Sequence, residues 1–351
     1  MNRLDRYVIA HVLELTGIVA LGLVSIYTLV VFVQDVNETR GSYGALQVLE
    51  YSALMIPSSL YTLMPIVALL GTLMGIGALA RTGELTAMRS AGIALSRIGG
   101  ATLIAGVGLA LFAFFLGDWL APTGESVATE MRDTARGTDN SAGKSVWLRN
   151  AGSVVRINKA LSDKHVRDLT IYRIGPDNRL QAAFTADEAV YAGDHWHLSG
   201  IKRTDFGGDS VAVTVQDQVD VTGGINPKDL KQFILMSDNL SVQGLLRLIG
   251  YMDENHLDSS KYRLLLWRRL VEPLTVMMMM LFAVPFVIGQ QRDTGAGQRL
   301  LAGALVGIVF YLFNSVSVRL GDIYQWPAPV AAGLPTACLA LLSWWRMMRA
   351  R

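Results

Sequence analysis

The sequence predicts an α-helical integral membrane protein with six transmembrane helices and an all-β, jelly-roll-like domain inserted between the third and fourth. Three observations predict this fold class. Only 17% of the 351 residues are charged, whereas a soluble domain carries about a quarter. Six long stretches lack Asp, Glu, Lys and Arg. The roughly 150 residues between the third and fourth stretches have a strand-like pattern instead.

The six uncharged stretches meet or approach the length of about 20 residues that a helix needs to cross roughly 30 Å of hydrocarbon. The second stretch is too long to stand upright, and Pro57 and Pro65 give it places to kink or tilt. Its glycines Gly71, Gly75 and Gly77 are expected to permit close helix packing. The stretches are Leu15–Val33, Tyr51–Ala80, Ile98–Gly117, Pro273–Gln291, Leu300–Val318 and Ile323–Trp345.

The insert contains short segments that alternate between apolar and polar residues and are separated by Ser, Asp and Gly. Val211, Val213 and Val215 alternate with Ala212 and two polar residues, which predicts a half-buried strand. Strands of this kind at regular spacing indicate a sandwich or jelly roll. The predicted strands lie in "GSVVRINKA", "DLTIYRI", "AFTADEAVY", "HWHLSGI" and "DSVAVTVQDQVDV".

Three parts follow from this pattern: residues 1–121 with the first three spans, residues 122–239 with the β domain, and residues 240–351 with a connecting helix and the last three spans. Basic residues in short loops mark the cytoplasmic side, so both termini and the segment 80–93 are predicted to be cytoplasmic and the β domain to be exported. Those basic residues are Arg3, Arg6, Arg81, Arg89, Arg97, Arg292, Arg299, Arg346, Arg349 and Arg351.

Several kinds of catalytic or metal site are not supported by the sequence. Cys338 is the one cysteine and cannot form an intramolecular disulfide or a zinc cluster. "GTDNSAGKS" (137–145) has one residue too many between its glycines for a phosphate loop. His195 and His197 share a strand face, but two imidazoles leave further ligands unfound, so no metal site is predicted and Trp196 is expected to point inward. The spans also lack the mid-membrane ionisable groups of ion-coupled carriers.

Charged residues near the exported face indicate either contact with anionic lipid headgroups or ordinary interfacial anchoring. Asp35, Glu38 and Arg40 follow the first span, and Lys261, Arg263, Arg268 and Arg269 precede the fourth. Guanidinium groups pair bidentately with phosphate, which favours a lipid contact.

The cytoplasmic segment "ARTGELTAMRSAGI" (80–93) predicts a short amphipathic helix that begins near Thr82 as its N-cap. Leu85 and Met88 then share an apolar face, while Glu84 and Arg89 are polar and exposed. Such a helix could dock into a cleft on a soluble ATPase, since a solvated linker would not need the apolar row.

Several motifs, in the same order along the whole chain, resemble the lipopolysaccharide-export permeases of the LptF/LptG family, and its LptG members most. One departure is that family members carry a lysine pair after the first span, where this chain reads "NET" (37–39) followed by Arg40. The matching motifs are "LDRY" (4–7), "GSY" (41–43), "ALLGTLMGIGALA" (68–80), "ELTAMRSAGI" (84–93), "GDWLAPTGE" (117–125) and "YRLLLWRRLVEPLTV" (262–276).

The resemblance implies the permease subunit of an ABC transporter in the bacterial inner membrane, with a periplasmic β domain. Its implied partners are an LptF-like permease, two LptB ATPases, LptC beside the first span, and periplasmic LptA. Residues 81–98 would be the coupling helix, with Glu84, Leu85, Met88 and Arg89 the ATPase contacts. This chain would bind no cofactor, because LptB uses the ATP and Mg²⁺.

Lipopolysaccharide would enter a cavity between first and fifth spans of opposite subunits. The implied lipid contacts are Asp35, Arg40, Arg263, Arg268, Phe310 and Phe313. The alternative from another class is a membrane scaffold that does not transport and whose β domain binds a periplasmic partner.

Overall fold

The computed structural model describes residues 2–36, 43–135, 146–150, 153–162, 164–175, 179–193, 195–206, 212–222, 240–254, 257–289 and 296–349. Its helices are α1 (Arg3–Val36), α2 (Ala45–Leu54), α3 (Ile56–Arg81), α4 (Glu84–Ser90), α5 (Leu95–Phe115), α6 (Ala121–Ala135), α7 (Val242–Glu254), α8 (Ser260–Gly289), α9 (Ala296–Ile323) and α10 (Ala328–Arg349), with a π-helical turn at Leu116–Leu120 between α5 and α6.

In the described part of the chain, six helices are long and apolar enough to cross a membrane, which confirms the predicted number: α1, α3, α5 with its extension, α8, α9 and α10. The long second stretch is divided at Met55, where α2 ends and α3 begins with Pro57 in its first turn. A proline fits there because the first helical N–H groups have no partner within the helix. The sixth helix begins at Ala328 rather than at Ile323, because α9 continues to Ile323.

The helices pack around α3 and α8. α3 lies between α1 and α9, and α8 contacts α3, α5 and α10. Gly71 and Gly75 allow the close approach of α1, because a Cβ atom on Gly71 would lie 2.4 Å from the Cα of Thr16. Gly71 and Gly75 therefore have the packing role that the sequence predicted, whereas for Gly77 that role stays a prediction.

Exposure differs greatly between these helices. In the most apolar 18 residues of α1 only 6% are buried, against 72% in α3. α1 thus presents most of its surface to lipid or to a partner chain.

The described strands form one antiparallel sheet in chain order: β1 (Val146–Asn150), β2 (Ser153–Ser162), β3 (His165–Ile174), β4 (Leu180–Tyr191), β5 (His195–Asp205) and β6 (Ala212–Thr222). This confirms an all-β insert between the third and fourth spans. Because consecutive strands pair with each other, the described part of the sheet is a meander, and the crossed connections of a jelly roll are not among these strands.

One face of the sheet is covered by its connection to the membrane. Trp196 is 6% exposed and belongs to an apolar core that also includes Leu248 of α7. Trp196 therefore points inward as predicted. The half-burial predicted for β6 is wrong, because Val213 and Val215 are 63% and 64% exposed. Among the described strands, β6 pairs with β5.

Candidate functional site

The first candidate site is the short helix α4 between the second and third spans. Glycines with positive φ flank it: Gly83 at +79° and Gly92 at +80°. α4 begins at Glu84, so the predicted N-cap Thr82 is wrong: Thr82 ends α3, and its hydroxyl donates to backbone carbonyls of that helix. The same hydroxyl lies 3.0 Å from a carboxylate oxygen of Glu84.

The apolar side of α4 contacts the membrane bundle. Leu85 is fully buried in the main core, and Met88 packs against the same core. Thr86 and Arg89 are exposed. Because a helix of seven residues is not stable alone, Leu85 and Met88 hold α4 in place, and the polar side is the surface that a cytoplasmic protein could contact.

Side chains of the "LDRY" motif connect α1 to this segment. The hydroxyl of Tyr7 interacts with the carboxylate of Glu84. Nε of Arg97, in the first turn of α5, donates to Asp5 over 3.3 Å. The ends of α1, α4 and α5 are thus linked through polar side chains. In the sequence, this motif indicated only the family, and the contacts of Tyr7 with Glu84 and of Asp5 with Arg97 were not predicted.

The second candidate site lies at the opposite ends of the helices, on the side of the β domain. Asp35 is 7% exposed there. It accepts a hydrogen bond from the hydroxyl of Tyr43 and lies 3.7 Å from a guanidinium nitrogen of Arg132. Arg132 also donates to the hydroxyl of Tyr51 over 3.2 Å and lies over its ring. Asp35, predicted as a lipid contact, therefore connects α1 to α2 and α6 inside the protein. Arg40 lies outside the described residues.

The arginines at the start of α8 have three different environments. Arg263 donates to Asp253 over 2.7 Å and to Ser259 over 3.0 Å. The hydrogen bond from the Ser259 hydroxyl, followed by that from Arg263, holds the pKa of Asp253 below its usual range. Arg263 and Arg268 are both exposed, and Arg263 is engaged in an ion pair.

Arg269, one of the four basic residues considered for lipid contact, is buried at 8% exposure. Its guanidinium lies 4.0 Å from Asp118 and over the ring of Tyr61. Among the described residues, Nη1 of Arg269 has no hydrogen-bond acceptor. Besides its ion pair with Arg269, Asp118 accepts a hydrogen bond of 2.5 Å from the backbone N–H of Val242 at the start of α7. This group connects the third and fourth spans to the helix that covers the β sheet.

The outward faces of α1 and α9 complete the site. Phe313 of α9 is 41% exposed, while Phe310 is half-buried against the main core. Of this predicted pair, Phe313 therefore faces outward. Exposed apolar side chains along the two helices are Ile18, Leu21, Ile26, Leu29, Val30 and Val33 of α1, and Leu301, Leu305, Ile308, Val309, Leu312 and Val316 of α9.

Comparison with known proteins agrees with this architecture. Residues 6–349 match the family described as lipopolysaccharide export system permease LptF/LptG. The chain is 29% identical to lipopolysaccharide export system permease protein LptG of Haemophilus influenzae over 356 residues, with 100% of this chain and 99% of that protein covered. It is 30% identical to the protein of the same name from Escherichia coli K12 over 353 residues, covering 99% and 98%. The chain therefore belongs to the lipopolysaccharide export system permease LptF/LptG family.

Proposed function

We propose that this chain is the LptG-type permease subunit of an ABC transporter that extracts lipopolysaccharide from the inner membrane and passes it to a periplasmic bridge toward the outer membrane. The observation that carries the proposal is the family match from residue 6 to residue 349, which includes the six spans and the β domain. Both relatives described above are named as permeases of lipopolysaccharide export.

The chain acts as one half of a heterodimer with an LptF-like permease, and two LptB ATPases bind below. It binds no ATP or Mg²⁺ for the transport cycle itself, because LptB binds and hydrolyses ATP with Mg²⁺. LptB contacts the exposed side of α4, including Arg89 and the partly exposed Glu84. The interaction of Glu84 with Tyr7 supports this role, because it links the α4 surface that LptB contacts directly to α1. Leu85 and Met88 contribute by anchoring α4.

Lipopolysaccharide enters along the outward apolar faces of α1 and α9, where acyl chains can contact Phe313 without uncovering the core. Its phosphates meet the arginines near the β domain. Arg268 is exposed, and guanidinium groups bind phosphate with short charge-assisted hydrogen bonds. LptC lies beside α1, and LptA accepts the lipid from the β domain.

The termini and α4 are cytoplasmic and the β domain is periplasmic in this proposal. Support comes from the basic residues, since Arg81, Arg89 and Arg97 lie around α4 and short cytoplasmic loops are rich in Arg and Lys.

The test is reconstitution of the chain with its LptF-like partner, LptB and LptC in liposomes that contain lipopolysaccharide. We expect ATP-dependent release of lipopolysaccharide to added LptA, with none when LptB cannot hydrolyse ATP. Arg89→Glu should reduce co-purified LptB and release together. A complex that assembles normally but releases no lipid would contradict the transport proposal and favour the scaffold.

A further inference from the structure

The two histidines of "HWH" in β5 meet a third group on the neighbouring strand. His197 and Asp220 are directly opposite each other in the β5–β6 pairing. The ligand atoms of His195, His197 and Asp220 all lie within 4.8 Å of one another. The proximity of Asp220 to His197 could not be predicted from the sequence, because it depends on the register of two strands.

The two imidazoles are arranged for chelation. Nε2 of His195 and Nε2 of His197 are 3.2 Å apart, and the rings are nearly perpendicular at 82°. Two nitrogens bound to one tetrahedral zinc ion at 2.0–2.1 Å would be about 3.4 Å apart. The observed separation therefore matches two ligands of one metal ion.

The third group determines which nitrogen of His197 is available. Nδ1 of His197 hydrogen-bonds to the carboxylate of Asp220, so the proton lies on Nδ1 and the lone pair on Nε2. Metal-binding histidines commonly have such a carboxylate on their other ring nitrogen, which fixes the tautomer and raises the basicity of the ligand. His197 and Asp220 are 51% and 61% exposed, so an ion in solution can reach the site.

We propose that His195 and His197 bind a divalent transition-metal ion of the zinc class through their Nε2 atoms, with Asp220 holding His197 in the binding tautomer. Water occupies the remaining coordination positions. Imidazole ligands select zinc, copper and nickel over magnesium and calcium, which prefer oxygen. The site lies on the exposed face of the sheet, opposite the core that contains Trp196, and is separate from the proposed lipid path.

The chain contains a matched control. His165 also contacts a carboxylate, since its Nε2 lies 2.5 Å from Glu188 on the next strand. His165 is half-exposed in the same sheet, but it does not belong to the cluster of His195, His197 and Asp220. A generic histidine–carboxylate pair would bind metal equally at both places, whereas a chelate requires His195 and His197.

The experiment uses the full-length chain, purified in detergent with a tag that contains no histidine. Zn²⁺ alone is titrated in competition with a chromophoric chelator. We expect one Zn²⁺ per chain, at least tenfold weaker affinity in His195→Gln and in His197→Gln, and unchanged affinity in His165→Gln. Asp220→Asn should weaken binding by about 10–100-fold. Affinity should also fall at acidic pH, because a protonated imidazole cannot bind the ion.

An independent measurement is the modification of individual histidines by diethylpyrocarbonate, located by mass spectrometry. Zn²⁺ should protect His195 and His197 but not His165. Equal Zn²⁺ affinity in wild type and in the His195→Gln/His197→Gln double variant would overturn the proposal, as would equal loss in His165→Gln. Unchanged thermal unfolding of each variant shows that the comparison is made on folded protein.

Discussion

The close contact between α1 and α3 predicts a large difference between two glycine-to-alanine substitutions. A Cβ atom at residue 71 would lie 2.4 Å from both Cα and Oγ1 of Thr16, and ordinary contact begins at 3.4 Å. The helices must therefore separate by about 1 Å, and overpacking of this kind costs about 1–3 kcal/mol. Thr16 cannot relieve the clash by rotation, because its Cα belongs to the backbone and its hydroxyl is bonded to the carbonyl of Val12.

Gly17→Ala, in the middle of α1, is the control, since a Cβ atom at this position would meet nothing within 4 Å. Both substitutions gain the same intrinsic helix propensity, up to about 1 kcal/mol, so their difference isolates the packing cost. Thermal unfolding of the purified complex in detergent, followed by tryptophan fluorescence at one scan rate, measures it. We expect Gly71→Ala to unfold at a clearly lower temperature than Gly17→Ala. Equal midpoints would refute the close approach of α1 and α3.

Three further predictions concern polar and buried groups. Arg89→Glu should reduce the amount of co-purified LptB without changing the midpoint of thermal unfolding. Leu85→Ala should lower both the amount of co-purified LptB and the unfolding midpoint, since loss of a buried leucine costs about 2–5 kcal/mol. Asp118→Ala should lower the midpoint more than Arg269→Met. Asp118→Ala leaves the buried Arg269 charge without its partner, which costs about 3–5 kcal/mol, whereas Arg269→Met leaves Asp118, which is 28% exposed and still accepts the N–H of Val242. Equal effects would contradict this. The pKa of Asp253 is lowered in the folded protein, so its stabilising contribution is present above about pH 4 and is lost as the pH falls further. Asp253→Asn should therefore reduce the acid sensitivity of unfolding. An unchanged pH profile of unfolding would count against the ion pair of Asp253 with Arg263.

The membrane helices could be predicted from the sequence because hydrocarbon thickness alone requires long uncharged stretches. Their ends were less predictable. α2 and α3 are separated at Met55 inside one apolar stretch, where no charge marks the break. α9 continues to Ile323, which hydropathy assigned to the next span. Such boundaries depend on hydrogen bonds within each helix, which hydropathy does not detect.

Site residues were less predictable than spans, because burial and pairing are properties of the tertiary structure. Leu85 and Asp35 look exposed in sequence, one in a charged segment and one at the end of a span, yet both are buried. Asp220 meets His197 only through strand register. Periodicity predicts which residues share one helix or strand face, but not which element covers that face.

The contacts of α1 show how a movement at the cytoplasmic side could reach the periplasmic side. At one end α1 is joined to α4 through Tyr7 and to α5 through Asp5; at the other, Asp35 is joined to α6 through Arg132. Between these ends the glycines of α3 leave no room for α1 to shift toward it. Polar side-chain links can break and re-form, whereas close backbone packing resists small displacements. We therefore expect α1 and α3 to move together when an ATPase displaces α4, and the contacts of Asp35 with Tyr43 and Arg132 to change as a result. We expect the lipid path to open against α9, which packs on the other side of α3.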